Sequence, residues 1–255
     1  MNETLKLIDR RMSLRRYAPR AIRPEDVDAI FESAMRAPTA MNMMLYSIVE
    51  VADQAKKDRL AETCGHDFIA KAPLVLLFLA DMQRWYDYYE ASGVPAYCER
   101  EEIDFVTPRG ANLMMSCCDA LIAAQNTVIA AESLGIGSCY IGDIMGHAEE
   151  HRELFDLPRW AFPITLVCYG YYPEDLERRL TSRFDRRFIV FKNAYQRLGK
   201  DDFAGMLAEI EAKFADFLAK KGRSLAEQTY RSFTLGASQL EEVRSVEILL
   251  RDWVD

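Results

Sequence analysis

"ANLMMSCCDALIAAQNTVIAAESLGIGSCYIGDI", residues 111–144, reads as one long helix that runs into a short strand or turn. From Ala111 to Ser133 apolar residues recur with helical period, and methionine, cysteine and alanine supply faces for burial. Thr107-Pro108 has the form of an N-cap followed by a first-turn proline. Gly135 suits the left-handed position just past the last turn. A helix of this length and apolarity predicts the centre of a layered fold, and the rest of the chain can be set around it.

Upstream, Leu5, Ile8 and Met12 predict a short amphipathic helix over 3–12. A second helix should open at Pro24, run through "VDAIFESAMRA" and stop near Pro38. "YSIVEVAD" (46–53) and "PLVLLFLA" (73–80) read as strands, the second one buried. Downstream, "HAEEHRELFDL" predicts a short helix and "FPITLVCYGYY" another strand. Strands separated by helices imply α and β elements in layers. From Gly199 onward the chain is almost all helix formers, with Phe203, Phe214, Phe217, Phe233 and Trp253 arguing against disorder. The expected division is a core domain over 1–198 and a helical C-terminal extension over 199–255.

Half of the 255 residues are hydrophobic and 28% are charged, enough for a sizeable core. The net charge of −8 argues against general nucleic-acid binding, which needs a broad basic surface. "APLVLLFLA" (72–80) is the longest apolar run, far short of the ~20 residues of a spanning helix, so no membrane is expected. "MNETLKLIDRRMS" has no apolar signal core, and the six cysteines form no CxxC pair. These features together predict a cytoplasmic protein with reduced thiols.

Against that acidic background, "RRMSLRRYAPRAI" (10–22) places five arginines in thirteen positions. The pattern suits either a solvated face or a site for one small anion. Other chemistry is thin. In "SLGIGSCYIGD" (133–143) Tyr140 occupies the third glycine position of a dinucleotide fingerprint, and Gly142 is followed by Asp143 where a phosphate loop needs Lys. His147 and His151 lie four apart, but "HAEEH" is not HExxH; a solvated pair at a helix start is the expectation, and no metal site. No GxSxG elbow is present. A bound cofactor would supply the chemistry these side chains lack.

Four segments in register resemble the nitroreductase family. "RRMSLRRYAPRAI" resembles its Arg-x-Ser-x-Arg flavin-phosphate motif, with Tyr17 following. "RAPTAMNMMLYSIVEVAD" (36–53) is similar to its second element, although "NMML" stands where Asn-x-Gln-Pro-Trp is usual. "DALIAAQNTVIAAESLGIGSCYIGDI" (119–144) is similar to the central helix and the Gly-Leu-Gly-x-x-Trp-Ile-Gly run, with Tyr140 in the tryptophan position. "LTSRFDRRFIVF" (180–191) resembles the later phosphate-contacting segment.

The resemblance implies an α+β three-layer fold, with a mostly antiparallel central sheet between helices. It implies a homodimer binding FMN at the subunit interface, reduced by NADH or NADPH and reoxidised by nitroaromatics, quinones or similar small aromatic acceptors. The expected kinetics are ping-pong, and no catalytic side chain is required because the chemistry is the flavin's. By motif, Arg11, Ser13 and Arg15 would hold the phosphate and ribityl chain, with Met12 contributing backbone. Pro38, Thr39, Ala40 and Asn42 would approach from the other subunit, and Ile141, Gly142 and Asp143 would face the isoalloxazine. Arg183 is the candidate for the later phosphate contact, among Arg179, Arg186 and Arg187. Arg16 and Arg20 match no binding position and are expected to be solvated or salt-bridged; Lys71 is either a contact to the flavin's polar edge or a surface lysine. Trp85, Tyr88 and Tyr89, at i, i+3, i+4 spacing, are the candidate substrate-stacking residues of a lid over 82–98. A specialised flavin enzyme (a reductive dehalogenase or enone reductase) and a flavin-binding sensor are the alternatives left open.

Overall fold

In the computed structural model, residues 1–254 are described. The N-terminal helix α1 (Glu3–Arg10) is capped by the Asn2 side chain, which accepts from the Leu5 amide. It ends just before the arginine segment, so Met12 lies outside it. Pro24 opens α2 (Pro24–Met35), which stops ahead of Pro38 as the sequence requires. Strand β1 (Tyr46–Glu50), helix α3 (Gln54–Thr63) and strand β2 (Leu74–Asp81) follow. Next come α4 (Gln83–Ala91), α5 (Val94–Arg100), the long α6 (Gly110–Ser133), β3 (Ile136–Ile141), α7 (Ala148–Leu154) and β4 (Ala161–Tyr171). The chain finishes with α8 (Lys200–Lys221), α9 (Leu225–Thr234) and α10 (Ala237–Val254).

The four strands form one sheet in the order β1-β2-β4-β3, each neighbouring pair antiparallel. Strand β2 is buried along its whole length because both faces are covered. Val75, Leu77 and Leu79 pack with Leu166 and Cys168 toward Leu60 and Ala61 of α3. Leu76 and Phe78 pack with Val167 and Tyr169 toward Ile30 of α2 and Ala124, Val128 and Ala131 of α6. The result is the expected α+β arrangement in three layers. By length and composition α6 could cross a membrane, yet its Leu113, Ala120, Ala123, Ala124 and Val128 are buried against the protein's own core.

Two local expectations are corrected. Thr107-Pro108 does not start α6; the helix opens at Gly110 with Arg109 as N-cap, and the Asn112 side chain accepts from the Arg109 amide. Asparagine at the third helical position caps backward and so displaces the start by two residues. Helix α3 escaped the sequence reading because its apolar stripe is short, although Asp53 caps it through the amides of Ala55 and Lys56. Gly135 does follow α6 in the left-handed region, at φ 76°.

The chain divides into two compact units, residues 1–179 with the segment from Glu241 on, and Leu180–Leu240. Helices α8 and α9 belong to the second, whereas most of α10 belongs to the first. The composition change at Gly199 therefore lies inside the second unit.

Candidate functional site

The arginine segment runs beside β3. Ser13 bridges Ser138 in parallel, and the Leu14 amide donates to the Ser138 carbonyl at 2.9 Å. Leu14 is buried at 1% exposure, and a Cβ on Gly137 would fall 2.6 Å from its Cδ2 atom. The bare backbone at Gly137 therefore lets the segment lie against the strand. With Leu14 turned inward, Ser13 and Arg15 alternate to the other side. Both contact the Cys139 thiol, whose pKa burial pushes up against the charges of Arg15 and Arg11.

An account of the arginines separates two roles. Arg16 makes a fork with Asp175, both contacts at 3.0 Å, and Arg20 stacks on the Tyr171 ring at 4.1 Å. Both fit the expectation of solvated or salt-bridged residues, since Arg16 is salt-bridged and Arg20 is exposed. Arg10 lies 3.9 Å from Glu132, a buried carboxylate already held by Arg178 at 2.6 Å and the Tyr172 hydroxyl at 2.7 Å. Among the described residues no carboxylate pairs with Arg11 or Arg15, and the Arg11 Nε atom is buried without a hydrogen-bond partner. A buried guanidinium nitrogen with nothing to donate to is costly, and an anion would satisfy it.

A cavity of about 810 Å³ opens beside this segment, lined by Arg15, Tyr17, Gly65, His66, Phe68 and Lys71 among others. Gly65 ends α3 in the left-handed conformation (φ 68°) and delivers His66 to the cavity wall. The His66 ring stacks on Phe68, and its Nε2 atom lies 3.3 Å from Asp143. Asp143 heads a single 3-10 turn, Asp143–Met145, directly after β3 and Gly142. The arginine segment and the Ile141–Asp143 segment are thus neighbours along one strand. His66 was missed by the sequence reading, since its partner is remote in the chain and no motif marks it.

Pro38, Thr39, Ala40 and Asn42 share one loop, pinned from α6. Asp119 is 3% exposed and accepts from the Thr39 hydroxyl at 2.5 Å and the Ala40 and Leu45 amides at 3.1 Å. Thr39 Oγ1 in turn accepts from the Met44 amide at 2.8 Å. Met41, Asn42 and Met44 all have positive φ, at 52°, 58° and 50°, and these bonds offset that strain. From α4, Trp85 Nε1 donates to the Met43 carbonyl at 2.8 Å and Arg84 to the Met44 carbonyl at 3.1 Å. Asn42 is exposed. No hydrogen bond or ion pair among the described residues joins this loop to the arginine segment of the same chain.

Trp85 makes edge contact with Tyr88 and a tilted contact with Tyr89, at 5.7 and 5.9 Å. Tyr88 is exposed, while Tyr89 lines a second cavity of about 480 Å³ with Met41, Met43, Tyr86 and Met115. In the second compact unit, Arg183 is exposed and donates to the Thr181 carbonyl at 3.0 Å. Arg179 pairs with Glu177, and Arg187 stacks on Phe188 at 4.5 Å.

Rival chemistry has little support. Burial pushes the Cys64 thiol up to about 12 and Cys117 to about 11, leaving both as poor nucleophiles. His151 is not solvated as expected: it is fully buried between Thr63 and the Ile144 carbonyl, which satisfy both ring nitrogens.

Comparison with known proteins bears on the same region. The family model described as "Nitroreductase family" matches residues 8–171. The FMN reductase (NADPH) of Bacillus subtilis is 28% identical over 231 residues, 90% of this chain and 89% of that one. The oxygen-insensitive NADPH nitroreductase of Salmonella typhimurium is 25% identical, over 90% of this chain and 88% of that one. The solved structure of B. megaterium NfrA2 superposes with a TM-score of 0.80 at 27% identity, covering 100% of this chain and 99% of that one.

Proposed function

The chain belongs to the nitroreductase family, and on that footing we propose that it is an FMN-dependent NAD(P)H oxidoreductase serving quinones, nitroaromatics or similar small aromatic acceptors. One observation carries the reading. Arg11 and Arg15 stand beside β3 without carboxylate partners, and the buried Arg11 Nε atom is unsatisfied, whereas Arg16 is neutralised within the protein. That donor set fits a phosphate ester, which accepts short charge-assisted hydrogen bonds from guanidinium forks.

In this reading Arg11, Ser13 and Arg15 hold the phosphate and ribityl chain, with the Met12 backbone alongside, and Arg183 is a further candidate for the phosphate. Ile141, Gly142 and Asp143 offer backbone to the flat ring, where Gly142 allows close approach. The pinned loop points to a dimer: among the described residues it makes no hydrogen bond or ion pair with the 10–22 arginine segment of its own chain, which supports Pro38, Thr39, Ala40 and Asn42 serving the partner's site. Bound FMN would supply two-electron carriage between nicotinamide and acceptor. The protein's task is then to bind, orient and exclude, and Tyr88 and Tyr89 are placed to stack on a flat acceptor. One face used in turn by donor and acceptor entails ping-pong kinetics, seen as parallel lines in double-reciprocal plots.

The test is the visible absorption spectrum of the purified protein, with the cofactor released by heat and identified by chromatography. Stoichiometric FMN is expected. Arg15→Ala should weaken FMN binding roughly tenfold to a hundredfold, the range for one hydrogen bond to a charged group. A colourless protein that refuses added FMN would overturn the reading.

A further inference from the structure

We propose that His66, held by Asp143, is the proton donor that accompanies hydride transfer to the acceptor. The proposal rests on the flavin reading above and deepens it by naming an acid where the family resemblance required none. His66 stands on the wall of the 810 Å³ cavity with Arg15 and Lys71, and its Nε2 atom is 3.3 Å from Asp143 Oδ2. Asp143 belongs to the same three residues that would face the flavin ring, and His66 shares its cavity with Arg15 of the arginine segment.

Three features suit the ring to the task. The Asp143 carboxylate, 3.3 Å from one ring nitrogen, helps orient the ring. Phe68 stacks on the ring, with centroids 5.2 Å apart, and restrains it further. The Asp143 contact is made by Nε2, and among the described residues no hydrogen bond engages Nδ1. The charged groups sharing the cavity are Arg15, Arg16, Asp67 and Lys71, and the charges of Asp143 and Glu242 both act on the neighbouring Cys64. His66 is the member of that set whose ordinary titration range spans neutral pH.

The stoichiometry requires a proton beside the hydride. A quinone that receives hydride, two electrons and one proton, at one oxygen needs a second proton at the other to become the hydroquinone. A nitro group that receives hydride likewise needs one further proton to leave as nitroso compound and water. His66 gives that proton from Nδ1 and regains it from solvent through the open cavity, so each turnover leaves the protein unchanged.

The experiment uses the FMN-loaded protein and reads the reaction of the reduced enzyme with a benzoquinone by stopped flow from pH 5.5 to 9. In the unsubstituted protein the rate should fall as pH rises, because neutral imidazole has a weaker proton to give. His66→Gln should be about 10²-fold slower at pH 7 and lose that fall, the magnitude of one general acid. Asp143→Asn should slow the reaction less than His66→Gln does, because the ring stays but loses its orienting partner. The ring signal of His66 in proton NMR, assigned by its loss in His66→Gln, should move or broaden in Asp143→Asn at fixed pH, with or without FMN, because the ring loses its neighbouring carboxylate. Protein that binds FMN but keeps an unchanged rate and pH profile in His66→Gln overturns the assignment of the donor alone. An unmoved His66 signal in Asp143→Asn overturns the role of Asp143. Protein that takes up no FMN overturns the flavin reading itself, which the absorption spectrum reports separately.

Discussion

At the His151 ring two nitrogens face partners of opposite polarity. Nδ1 donates to the Ile144 carbonyl at 2.8 Å, so Nε2 accepts from the Thr63 hydroxyl at 2.8 Å. That pairing suits the neutral ring, and burial pushes the pKa of His151 down. The unfolded chain therefore binds the proton more readily than the folded one. Stability should be full above about pH 6.5, the ordinary histidine value, and should drain away as pH falls below it. Thermal melts from pH 7.5 to 5 should show a slope that flattens in His151→Gln; an identical slope would assign the pH dependence elsewhere. Gly137 carries a second prediction. A methyl there meets Leu14 Cδ2 at 2.6 Å and Tyr172 Cζ at 2.7 Å. Gly137→Ala should cost about 1–3 kcal/mol in denaturant unfolding, the range for overpacking, and should weaken FMN binding by shifting the arginine segment. At this scale the sequence disclosed the arginines and their spacing, including those with no binding position. It could not disclose the His66–Asp143 pair, because proximity made by folding leaves no local pattern.

The 39–45 loop is the element on which the proposed second half of each site depends, and Asp119 is what holds it. Asp119 is a buried carboxylate without a cation, accepting from one hydroxyl and two backbone amides. Asp119→Asn keeps the shape but replaces one acceptor oxygen by a donor that faces other donors. A loss of about 2 kcal/mol in unfolding free energy is expected, the order for an unsatisfied buried group. FMN affinity should fall as well, although Asp119 belongs to neither the arginine nor the Ile141–Asp143 segment. Stability lost with FMN affinity intact would mean that the loop does not reach the flavin. The elements themselves were largely legible. Pro24 and Pro38 bracketed α2, and the unbroken apolar run of β2 announced burial on both faces. The start of α6 was not, since a conventional cap sequence at Thr107-Pro108 competed with Asn112, which wins through a backbone contact. Nor did composition reveal the positive φ angles of the loop, which three hydrogen bonds from a remote helix sustain.

Across the whole molecule, the chain after β4 has two fates that composition could not separate. The end of α10 returns to the first compact unit, where Trp253 is 1% exposed and its Nε1 atom donates to the Arg109 carbonyl at 3.2 Å. Trp160 donates to the Trp253 carbonyl at 3.1 Å, and Arg152 pairs with Asp252 at 3.0 Å. Trp253→Ala removes a large ring at the start of the central helix and should cost about 3–5 kcal/mol. In the second unit, by contrast, Phe203, Phe214, Phe217, Tyr230 and Phe233 remain exposed. Aromatics exposed on a helical pair are what a partner subunit would cover, and in the proposed dimer this segment would wrap the other chain. The two substitutions should therefore separate two properties. Phe214→Ser with Phe217→Ser should shift sedimentation toward the monomer at micromolar concentration, whereas Trp253→Ala should lower the melting temperature. If the phenylalanine pair can be replaced without moving the proposed dimer's sedimentation, those faces serve something other than a second subunit.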